Sequence, residues 1–217
     1  MKITATKIYV ISGLGVDQRV FSKIDFGSLD ITYLDWITPS RNEPLSIYAK
    51  RISTKITAEQ PILIGLSFGG MLAMEIAKII TVQRVILLAS AKGRYELPVL
   101  YRLAGRLKLN VFVPNSLLKT HSFLSDYFFG IRCKEDSLLL KQILKDTDPI
   151  FIAWAIHQIL QWKNNSVPDN LIHIHGSSDR IIPIKNVKPN FIIKGAGHFM
   201  TVTHAQEIEK LLQEICS

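Results

Sequence analysis

The chain has 217 residues, 47% hydrophobic and 20% charged, with a formal charge of +8; this is the composition of one globular domain with a packed core, and it excludes disorder. No apolar run approaches the roughly 18 residues of a membrane span, and no nucleic-acid-binding motif accompanies the charge, so neither stable membrane insertion nor a nucleic-acid partner is expected. Two cysteines, Cys133 and Cys216, show neither metal spacing nor a disulfide framework, which points to a cytoplasmic protein.

The N-terminal sequence MKITATKIYVISG makes a poor signal peptide, because its apolar stretch is short, β-branched and runs into a glycine turn. It reads instead as a first strand over 7–12. From there short β-rich runs alternate with helix-period segments, the pattern of a parallel sheet covered on both faces. Further strands are expected over 31–36, 61–66, 84–89, 171–175 and 190–193, and helices near 45–56, 69–80, 149–162 and 203–215. Asp148-Pro149 supplies a cap with proline in the first turn, and Thr203 with Gln206 fits a capping box.

The alternation breaks over 92–147, where no strand is expected. Leu100, Leu103 and Leu107 form a helical stripe, a second helix is expected over 135–145, and Phe123, Leu124, Tyr127, Phe128 and Phe129 cluster between them. This segment reads as a helical cap inserted into a single domain, its aromatics either anchoring the cap or lining a substrate pocket. It is also basic. Over 92–145, Lys92, Arg94, Arg102, Arg106, Lys108, Lys119, Arg132, Lys134, Lys141 and Lys145 stand against Glu96, Asp126, Glu135 and Asp136, an excess of six positive charges. A solvated basic face explains this, and attraction of an anionic substrate or membrane surface is the sharper alternative.

The strongest chemical signal is Gly65-Leu66-Ser67-Phe68-Gly69, followed by Gly70. The G-x-S-x-G spacing gains meaning from its context: a buried run before it, 61–64, and a nearly all-apolar helical run after it, 71–77. Strand, sharp turn and helix are what a nucleophile elbow needs. Side chains two residues either side of the serine would collide with the neighbouring strand and helix, so glycine stands there. A serine hydroxyl needs a base. Of six histidines, His198 in Gly195-Ala196-Gly197-His198-Phe199 follows the last strand and precedes the last helix. His173 and His175 share one face of a strand and read as structural, with His175 the one able to touch the site; His204 reads as a surface residue, and His121 and His157 lack a turn context. The base needs an orienting carboxylate. Asp179, in His175-Gly176-Ser177-Ser178-Asp179-Arg180, follows the fifth strand, whereas the turn after the fourth reads Ala89-Ser90-Ala91-Lys92 and offers none; Asp35, after the second strand, is the runner-up. Ser67, Asp179 and His198 thus share the carboxyl edge of the sheet, in the order Ser, Asp, His. Oxyanion donors are expected from the backbone N–H of Phe68 and, in Ser12-Gly13-Leu14-Gly15, of Leu14.

With ISGLG followed by Val20-Phe21, GLSFGG, HGSSDRIIP and GAGHF in this order, the chain resembles the α/β-hydrolase superfamily over nearly its full length. The resemblance implies a minimal, mostly parallel six-stranded sheet with helices on both faces and a helical cap, and it maps nucleophile, acid and base onto Ser67, Asp179 and His198. One departure stands out: many members have His-Gly in the oxyanion loop where this chain has Ser12-Gly13, losing a side chain that braces the loop. The expected chemistry is hydrolysis of a carboxylic ester of a small or medium substrate through an acyl-enzyme, requiring no metal or organic cofactor. C–C bond cleavage or elimination uses the same triad, and a non-catalytic ligand-binding role would use the same fold; the substrate and the oligomeric state have no signature in the sequence.

Overall fold

The computed structural model describes residues 6–107 and 121–216; Lys108 and Lys119 of the basic segment lie outside the described residues. Six strands, β1 (Ile8–Ile11), β2 (Ile31–Tyr33), β3 (Ile62–Leu66), β4 (Arg84–Leu88), β5 (Leu171–Gly176) and β6 (Phe191–Ile193), form one sheet in the order β2-β1-β3-β4-β5-β6. Every pairing is parallel, with Ile8 opposite Ile62, Gly65 opposite Leu87 and His175 opposite Ile192.

Side-chain alternation sorts the core into two layers. Ile8 and Val10, Ile62 and Ile64, and Ile86 and Leu88 face one side. There they pack with Phe21, Phe199 and the buried stripe Ile208 and Leu212 of the C-terminal helix α8 (Ala205–Cys216). Tyr9 and Ile11, Leu63, and Val85 and Leu87 face the other. That layer is closed by α1 (Leu45–Ser53), α2 (Phe68–Ile76) and α6 (Pro149–Gln161). Burial on both faces is why the central strands read as unbroken apolar runs. Each such side chain taken wholly out of water contributes about 1.5–3 kcal/mol.

Between β4 and α6 come α3 (Val99–Arg106), α4 (Phe123–Phe129) and α5 (Lys134–Asp146). The Leu100, Leu103, Leu107 stripe does not face the core: these residues are 75%, 48% and 58% exposed. The inward row is instead Tyr101 and Gly105 of α3, continued four residues back by Leu97 in the approach to it. Gly105 is buried with its Cα so close to the Leu160 carbonyl of α6 that a Cβ would overlap it, and a glycine in this row carries no hydrophobic signal. The aromatic cluster is a helix, α4, capped by Ser122 and Ser125 in a reciprocal capping box. Its Phe123, Leu124 and Phe128 are exposed; Tyr127, also exposed, anchors the helix to the acid loop, its ring beneath the Arg180 guanidinium (4.1 Å) and its carbonyl accepting from Arg180, and Phe129 packs inward.

The last helix is also interrupted. A short α7 (Met200–Thr203) precedes α8, and the Thr203 hydroxyl bonds back to the Phe199 carbonyl and to His204, so the capping box expected with Gln206 does not form. The start of α6 is as expected: Asp148 accepts from the Ile150 N–H, with Pro149 in the first turn. Among the described residues no helix is long and apolar enough to cross a membrane.

Candidate active site

Because all six strands run the same way, the loops after β1, β3, β5 and β6 emerge at one edge, and the site is built there. Ser67 follows β3 directly. Its backbone has φ 51° and ψ −118°, a left-handed conformation costly for a residue with a side chain. The surroundings hold it. The Ser67 N–H donates to the Leu88 carbonyl at 2.8 Å, and its carbonyl accepts from the Gly70 N–H at 3.0 Å and from the Ser90 hydroxyl at 2.6 Å. The flanking glycines are obligatory. A Cβ on Gly65 would lie 2.5 Å from the Gly69 oxygen, and one on Gly69 would overlap the Ser12 carbonyl.

The Ser67 hydroxyl lies 2.8 Å from His198 Nε2, and His198 Nδ1 lies 2.7 Å from Asp179 Oδ2. An ionised carboxylate only accepts, so Nδ1 carries the proton and Nε2 is left with a lone pair facing the serine O–H. Asp179 is buried, yet its other oxygen accepts from the N–H groups of Ile181 (2.8 Å) and Ile182 (2.9 Å). Burial pushes its pKa up, but the charge and hydrogen bond of His198, with His175 and Ile182 behind, outweigh this and hold it below the usual carboxylate range. The acid and base loops are tied together by Ser177 N–H to Ile193 O and Ser178 N–H to Ala196 O, at 3.0 and 2.9 Å. From above, the Phe199 N–H donates to the Phe129 carbonyl, and the Phe129 ring stands edge-on to His198.

Phe68 is the first residue of α2, so its N–H has no acceptor within the helix. Across from it the loop after β1 passes so near that a Cβ on Gly13 would lie 3.3 Å from the Ser67 Cβ, and Leu14 joins the same cavity wall. Replacing the histidine of this loop by Ser12 does not leave it unbraced: the buried Ser12 hydroxyl donates to the Val16 carbonyl at 2.8 Å, and Trp36 Nε1 donates to the same oxygen at 3.1 Å.

Ser67 and His198 open into a cavity of about 250 Å³. Leu97 and Tyr101 come from the approach to α3 and from α3 itself, Phe129 from α4, and Ile156, Ile159 and Leu160 from α6. No Asp, Glu, Lys or Arg side chain lines it among the described residues, so the basic residues described there sit outside its lining. Among the described residues the Tyr101 phenol is the one hydroxyl of the lining besides Ser67; burial, then the Asp179 charge, pushes its pKa up and keeps it protonated. Ser12, Ser90 and Tyr101 carry no motif of their own. Asp35, the runner-up acid, is exposed and takes no part in this bonded chain.

No protein-family model matches the chain, and a comparison with curated sequences finds no match. Solved structures do match. An esterase from Exiguobacterium antarcticum superposes with a TM-score of 0.72 at 14% identity, covering 99% of this chain and 93% of that one. The chain has the α/β-hydrolase fold. A lipase-esterase related protein from Clostridium acetobutylicum ATCC 824 (TM-score 0.69, 16% identity, 99% and 96% covered) and a bromoperoxidase from Bacillus anthracis (0.68, 16%, 98% and 92%) share it. The α/β-hydrolase sheet here is a minimal one of six parallel strands, as the sequence landmarks imply.

Proposed function

We propose that the protein is a serine hydrolase acting on carboxylic esters with an uncharged, apolar acyl group of small or medium size. The observation that carries this is the hydrogen-bonded chain from Ser67 through His198 to Asp179, opening into an uncharged cavity of about 250 Å³. Ser67 Oγ attacks the ester carbonyl as its proton passes to His198 Nε2. Asp179 stabilises the imidazolium without taking the proton. The N–H groups of Leu14 and Phe68 receive the developing oxyanion; one such donor is worth about 100- to 1000-fold in turnover. The tetrahedral intermediate collapses, His198 returns the proton to the leaving alkoxide, and an acyl-enzyme remains. Water, deprotonated by His198, then releases the acid and restores Ser67. The uncharged cavity favours a neutral acyl group over an anionic one, because a buried carboxylate would find no cation there.

The test is a series of p-nitrophenyl esters of increasing acyl length, with a succinyl monoester as the charged member. Turnover that rises from acetyl to a medium-chain optimum and is poor for the succinyl ester is expected. A lack of ester turnover, with cleavage of a C–C bond β to a carbonyl, would replace this reading.

A further inference from the structure

Strand β5 places two histidines where its neighbours place aliphatic side chains. His173 and His175 are both fully buried, where an unbonded imidazole nitrogen is costly; three of the four ring nitrogens are bonded, and His173 Nδ1, on the side of the Ser90 backbone, has no hydrogen-bond partner of good geometry among the described residues. Their rings stand perpendicular, 5.1 Å apart, with His173 Nε2 3.1 Å from His175 Nδ1. His175 Nε2 lies 2.8 Å from the Ile182 carbonyl and 3.4 Å from Asp179 Oδ2. These contacts fix the protons. A carbonyl and a carboxylate only accept, so His175 Nε2 carries hydrogen. Burial holds the His175 ring neutral, so its Nδ1 accepts, and His173 Nε2 donates to it.

Both backbone groups of Ile182 are therefore held: its N–H donates to Asp179 Oδ1, and its C=O accepts from His175. Asp179 Oδ2 in turn faces two imidazole N–H groups, one from His198 and one from His175. We infer that His175, braced by His173, is a positioning residue that sets the carboxylate of Asp179 against His198. This rests on the Ser67–His198–Asp179 reading. Neither histidine reaches the substrate cavity. They act through the acid loop, and a misplacement of about 1 Å there is enough to cost up to about 100-fold in rate.

Two substitutions of similar polarity and different reach separate this role from mere packing. His175→Gln can present an amide N–H near the position of Nε2; His175→Asn ends near Nδ1 and cannot reach Ile182 or Asp179. Three readouts apply: the rate of Ser67 inactivation by a fluorophosphonate, kcat and KM for an ester, and the downfield proton resonance of the His198 Nδ1–H. In His175→Asn, inactivation and kcat are expected to fall about 10- to 100-fold with KM changed little, and the downfield resonance to move or broaden. In His175→Gln all three should return toward wild type. Equal rates in wild type and His175→Asn, or a His175→Gln as slow as His175→Asn, would overturn the inference. Should His175→Asn fail to fold, His173→Phe removes only the donor to Nδ1; slower inactivation is then expected, and an unchanged rate overturns the inference. A wild type that is never labelled would sink the triad reading itself, a different result.

Discussion

Ser67 combines a left-handed backbone with two glycine neighbours that have no room for a side chain. Gly69→Ala should therefore unfold the elbow, not merely slow it. A loss of about 3 kcal/mol or more in urea denaturation is expected, since the new Cβ meets backbone that cannot move aside; a loss under about 1 kcal/mol would mean the turn is looser than described. This sharp steric demand is why the nucleophile was legible in the sequence: the crowding at Gly65 and Gly69 shows as G-x-S-x-G between a buried strand and an apolar helix. Ser12 was legible only as a missing histidine. That it braces its own loop depends on Val16 and Trp36, which the chain brings together from elsewhere.

Among the elements, β5 has the clearest pH signature. Burial pushes His173 down to about 3, and His175 is lowered for the same reason, against about 6.5 in an unfolded chain. Between these values the unfolded state binds protons that the folded state refuses, so stability is full above about pH 6.5 and falls as pH drops toward 3. The slope approaches about 1.4 kcal/mol per pH unit for each histidine that stays neutral. Urea midpoints measured from pH 7 to pH 4 should fall on this account, and less steeply in His173→Phe; parallel curves would contradict it. Helix α3 offers a second test. Gly105→Ala must lift it from α6 and shift Tyr101 in the cavity wall, so KM for a medium-chain ester should rise several-fold while fluorophosphonate labelling persists. The strands and their edge were legible because parallel β-runs are continuous and apolar. The cavity was not: α6 is apolar around most of its surface, so periodicity could not tell that Ile156, Ile159 and Leu160 face the substrate, and the visible leucine stripe of α3 faces outward.

For the whole molecule, the charge of +8 and the uncharged cavity pull in different directions. Turnover of a neutral ester should be nearly insensitive to salt while the Debye length shrinks from about 30 Å to about 3 Å. A steep loss with salt would restore the basic segment to a role in substrate capture. The whole account rests on Ser67 being activated by His198 and Asp179. Labelling with a fluorophosphonate, followed by peptide mapping, should give one adduct per chain on Ser67. It should be absent in Ser67→Ala and slower by about 1000-fold or more in His198→Ala and Asp179→Asn. A folded wild type that takes no label, or labelling that survives Ser67→Ala, would contradict it.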